Sequence, residues 1–152
     1  MIDEESGRFT VGVFKDAEWA ARGLAALSRI GLPPESLSVI ASASPDTAAL
    51  VERALGVVAT SMEIAGLGTA IAAGPLVPAL QSPEGDLASR GLSGTLRRVG
   101  FQAHDARIFE ALAARGGVLV AIHSEPRAAD ALAVLHAYGG GNAAIGAWTG
   151  RL

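Results

Sequence analysis

A strand–helix–strand pattern occurs twice in this chain, once near each end, and that repeat constrains the fold more than any other feature. The first copy opens at Phe9-Thr10-Val11-Gly12-Val13-Phe14, a β-branched and aromatic run that reads as a strand. Asp16 is placed to cap a helix that follows, on which Trp19, Ala20, Gly23, Leu24, Leu27 and Ile30 recur at helical spacing. Gly31 stops that helix, Pro33-Pro34 turns the chain, and Ser36 to Ala41 forms a second strand. The second copy opens at Gly117-Val118-Leu119-Val120-Ala121-Ile122-His123, the strongest strand in the sequence. Ser124 then caps a helix with Pro126 in its first turn, Gly139-Gly140-Gly141 ends it, and Asn142 to Trp148 can supply a fourth strand. Two such units predict an α+β domain with a ferredoxin-like βαβ-βαβ core and its helices on one sheet face.

The first unit spans residues 8–43 and the second 117–149. A helical, apolar, Gly- and Ala-rich insert occupies residues 44–116, far too long for a plain loop. Ser44-Pro45-Asp46 begins a helix through Leu55, Leu87 to Val99 reads as another, and His104-Asp105 opens a third that runs from Ala106 to Ala114. Val57-Val58-Ala59 fits a short strand or a helix extension. Ile64 to Leu80 carries no charge. It is too short, too rich in glycine and too interrupted by Pro75 and Pro78 for a bilayer-spanning helix, which needs about 20 apolar residues. We read it as a buried hairpin or short helix, set on the sheet or at a dimer interface. Membrane contact is the competing reading.

At 152 residues the chain is sized for one domain, 1–152. Half of it is hydrophobic, which excludes disorder, and the absence of cysteine excludes thiolate zinc sites and a cysteine nucleophile. A net charge of −3 argues against non-specific nucleic-acid binding. The acidic start Met1-Ile2-Asp3-Glu4-Glu5 is unlike a signal peptide, so a cytoplasmic protein is expected.

Several blocks occur in a definite order: Gly12-Val13-Phe14, the stretch from Gly31-Leu32-Pro33-Pro34 to Ile40-Ala41, Gly66-Leu67-Gly68 through Gly74-Pro75-Leu76, Gly91-Leu92-Ser93-Gly94-Thr95-Leu96, Val99-Gly100-Phe101, Asp105-Ala106-Arg107 with Phe109-Glu110, and Gly116 to His123. In that order, over roughly residues 8 to 142, they resemble the bacterial general stress protein family, small heat-induced proteins of unknown function. The resemblance implies a ferredoxin-like core, a Gly/Ala-rich insert and a link to stress responses; it brings no catalytic residue set. The chain departs from the family where Gln102-Ala103-His104 replaces the usual Pro-Glu-Glu helix start and Ile108-Phe109 a tyrosine-bearing pair.

Chemistry-bearing residues are few. His123 with Ser124, and Lys15 with Asp16, stand at strand–helix junctions, where free N–H groups favour anions; these four are the candidate ligand-binding residues. For His123 the plainer alternative is a sheet-edge residue making one backbone hydrogen bond. His104 reads as a cap and His136 as the flank of an apolar stripe. Three histidines without a ligand spacing predict no metal, and neither a Ser-His-Asp arrangement nor a dinucleotide or phosphate loop is present, so no cofactor and no enzymatic activity are expected. The glycines of Gly66-Leu67-Gly68 and Gly91 to Gly94 are read as backbone devices. Glu63 marks the solvent end of the uncharged segment or, against an apolar wall, a carboxyl with a raised pKa. Arg90, Arg97 and Arg98 share a helix face, with Arg107 and Arg115 nearby; a solvated face is the commoner meaning, and a phosphate, acidic partner or anionic lipid the alternative. An open four-stranded sheet would need cover on one face. Leu67, Ile71, Leu76 and Val77 are therefore predicted to bury against that face or its twin in a homodimer. The expected function is that of a non-enzymatic stress-associated protein acting by self-association or by partner or membrane-surface contact; a small-ligand sensor is the alternative.

Overall fold

The computed structural model describes residues 8–80, 86–98, 103–122, 130, 133–134, 137 and 148–151. It is an α+β fold built on one six-stranded antiparallel sheet in the order β3-β4-β2-β5-β1-β6. The strands are β1 (Arg8–Phe14), β2 (Leu37–Ser42), β3 (Thr60–Ile64), β4 (Gly68–Ala73), β5 (Val118–Ile122) and β6 (Trp148–Arg151). The helices bounded within the described residues are α1 (Ala17–Arg29), α2 (Pro45–Leu55), the short α3 (Leu76–Leu80), α4 (Asp86–Arg98) and α5 (Ala103–Ala114), and residues 130, 133–134 and 137 are helical as well.

The first repeat and the helix that opens the insert fold as their local signals dictate. Asp16 accepts a hydrogen bond from the Trp19 N–H at 2.9 Å and caps α1, and Gly31 follows the helix with φ 94°. At the start of α2, Ser44 and Thr47 exchange side-chain-to-backbone bonds in a capping box, with Pro45 in the first turn. Gly23 lets α1 settle on the sheet, because a Cβ there would overlap the buried Phe14 ring.

The helices lie on both faces of the sheet, with the insert covering the face that the repeat units alone would leave open, one of the two arrangements expected. Phe14, Leu24, Leu27, Val39, Leu50, Val51, Val118 and Val120 form a core with α1 and α2. Val11, Val13, Ile40, Leu92, Leu96, Phe109 and Leu119 form a second core with α4 and α5. This is why β5 reads Val-Leu-Val-Ala-Ile without alternation: both its faces are buried.

The insert supplies a hairpin as well as helices, within the buried hairpin or short helix read for the uncharged stretch. The uncharged stretch holds the return strand of a hairpin, with Thr60 paired to Ala72 and Ile64 to Gly68, and β4 then pairs with β2. The hairpin widens the sheet, and α3, α4 and α5 close its far face. The helix anticipated from Leu87 to Val99 is broken at Gly91, which has φ 76° and ψ 179°. The last strand runs Trp148–Arg151, sharing only Trp148 with the strand read over Asn142 to Trp148 and passing the second unit's end at 149; residues 142–147 lie outside the described set.

Candidate functional site

The two junctions singled out in the sequence leave from opposite ends of the sheet. Phe14 pairs with Val118 while Thr10 pairs with Ile122, so the chain exits β1 and β5 roughly 14 Å apart along the strands. At the first junction, Asp16 is spent capping α1. Lys15 is exposed, with its Nζ 5.7 Å from the centroid of the Trp19 ring, and the Arg22 guanidinium lies 4.9 Å from the same ring. Arg22 in turn bonds Glu18 at 2.9 Å, so the junction is a small exposed cation–aromatic cluster. His123, Ser124 and His136 lie outside the described residues.

The four apolar candidates sit in the chain's own cores. Ile71 and Leu76 are buried, and Leu67 and Val77 are half-buried against the α4–α5 core. The uncharged stretch therefore packs on its own sheet. Ser38, fully buried, accepts the Leu76 N–H at 2.9 Å and ties the start of α3 to β2.

Glu63 is exposed and accepts the Thr69 hydroxyl at 2.5 Å across the hairpin, in keeping with the solvent-end reading. Among the arginines, Arg90 and Arg97 are exposed but fall on either side of the Gly91 break, so they do not form one continuous ladder. Arg107, Arg115 and His104 are also exposed.

Sequence reasoning missed Glu110. Its carboxylate accepts the Ser93 N–H at 3.0 Å and the Ser93 hydroxyl at 3.3 Å. It thus caps the second half of α4, just past the Gly91 break, from a different helix. The Ala65 N–H donates to the Leu87 carbonyl at 3.2 Å, which fixes the hairpin turn to the first half of α4. A Cβ at Gly91 would collide with the Ala65 carbonyl, so glycine is required for both conformation and space. The Gly-Leu-Ser-Gly-Thr motif is a helix break and restart, with the Thr95 hydroxyl donating back to the Gly91 carbonyl at 2.9 Å. The only sequence trace was a Gly-Ser pair inside a helical pattern.

An open concave surface lies elsewhere, between α1 and α2. Two adjoining hollows of about 410 and 390 Å³ share Ala21, Leu50 and Arg53. Their floor is alanine and leucine; Glu18, Arg22 and Asp46 border one, and Ser28 and Arg29 the other. Among the described residues no group of three or more His, Asp or Glu side chains could hold a metal, and no helix is long and apolar enough to cross a membrane.

No family model matches the chain, and no curated protein or solved structure matches it either.

Proposed function

We propose that this is a non-enzymatic, stress-associated protein that works by associating with itself or with a partner, on an extended ferredoxin-like scaffold. The strands β6-β1-β5-β2 follow one another as in a ferredoxin-like core, and the β3–β4 hairpin adds two strands beyond β2. The stress assignment rests on the ordered sequence blocks alone.

The observation that carries the reading is how the fold uses its polar groups. The buried polar side chains among the described residues are Ser36, Ser38, Thr47 and Thr95, and each bonds to the chain's own backbone. These groups hold the chain together, and none of them lines the α1–α2 hollows. The exposed α1–α2 surface, by contrast, offers an apolar trough with charges along it, which suits assembly better than chemistry.

Native mass spectrometry of the purified, untagged protein tests this directly. A dimer without added mass is expected. A monomer that reproducibly carries a small molecule would replace the reading with that of a ligand sensor, and an abundance unchanged by heat shock would remove the link to stress.

A further inference from the structure

Four residues of α2 line the trough against α1: Asp46, Ala49, Leu50 and Arg53. Their spacing of three, four and seven residues places them on one helical stripe. Leu50 is buried beneath the stripe, whereas Asp46, Ala49 and Arg53 are exposed. Asp46 is in the first turn of α2 and Arg53 in the last, about 10 Å apart along the axis. The stripe therefore has an acidic end, a small apolar centre and a basic end.

Such a stripe is complementary to itself when inverted. We infer that a second copy of this chain docks on the α1–α2 face, with the two α2 helices crossing antiparallel at Ala49. In that arrangement Asp46 of each copy meets Arg53 of the other, giving two reciprocal ion pairs around a two-fold axis. Ala49 at the crossing lets the backbones approach closely, and the alanines of α1 (Ala17, Ala21 and Ala25) leave room beside them. Glu18 and Arg22, on the neighbouring helix, neutralise each other within α1 and add no unbalanced charge. The inference rests on the self-association reading above and names its surface.

A charge swap tests it. Asp46→Arg and Arg53→Asp should each weaken dimerisation at least tenfold by analytical ultracentrifugation, because each sets like charges face to face twice. The double variant, Asp46→Arg with Arg53→Asp, should restore the dimer. Added salt should weaken the wild-type dimer. Ala49→Trp, on an exposed mid-helix position that leaves the fold intact, should also block the crossing, which keeps the test decisive if a charge variant loses stability. Single variants and Ala49→Trp that remain dimeric, or a double variant that stays monomeric, would overturn this surface and leave self-association standing. A wild-type protein that is monomeric at tens of micromolar would overturn the self-association reading itself.

Discussion

Helices cover both faces of the sheet, but the two sets are anchored by different means. α1 and α2 follow directly on the strands they pack against and are held by neighbours in sequence: Asp16 caps one, and Ser44 with Thr47 the other. α3, α4 and α5 come later in the insert that α2 opens, and are held by residues far away in the chain. Ser38 reaches across 38 positions to Leu76, and Glu110 across 17 positions to Ser93. The first face is assembled from self-sufficient units. On the second, three pieces of chain that are marginal alone (a hairpin turn, a broken helix and a short helix) become ordered only by meeting one another. The difference shows at Gly91, where a left-handed residue breaks α4 and the second half of the helix restarts on a cap supplied by Glu110 from another helix.

The largest expected effects come from removing the aromatic centre of each core. Phe109→Ala on the insert face and Phe14→Ala on the repeat face should each cost about 3–5 kcal/mol in chemical denaturation. A loss below about 1 kcal/mol for Phe109→Ala would mean that the insert decorates the fold without supporting it. Next come the anchors. Ser38→Ala strands a buried N–H and should cost about 1–3 kcal/mol. Asp16→Ala leaves its helix end open to water and should cost about 1 kcal/mol. If the local cap proves the more expensive, the contrast between the faces is wrong. The smallest change is Glu18→Ala, which removes an exposed pair and should cost about 0.2–0.5 kcal/mol.

The repeat face was legible in the sequence because its determinants are local. Asp16, Gly31, Pro33-Pro34 and Ser44-Pro45 each punctuate the chain within a turn or two of the element they bound, and those elements stand where their signals put them. On the insert face the helices over 87–99 and 106–114 were legible and stand as α4 and α5, but the break and restart inside α4 was not, because its acceptor lies on another helix and no spacing rule links Ser93 to Glu110. One available signal was passed over. Val118 to Ile122 and Val39 to Ala41 are unbroken apolar runs, and a sheet wet on one face would have alternated there. Those runs argue for cover on both faces of β2 and β5, whether by the insert or by a second copy. Of the candidate site, Asp16 was recognisable as a cap, whereas the α1–α2 stripe becomes visible only once the fold sets the two helices side by side.

The central claim is that the insert closes the far face of the sheet within one chain and that a second copy docks on the opposite face. Hydrogen exchange followed by mass spectrometry, across a dilution series from dimer to monomer, tests both parts together. Amides of β3, β4, α4 and α5 should exchange at the same rate at every concentration, with lost protection on dilution confined to α1 and α2. Exchange that instead accelerates in the hairpin or in α4 and α5 would show that the insert is held by a second copy, and would contradict the account.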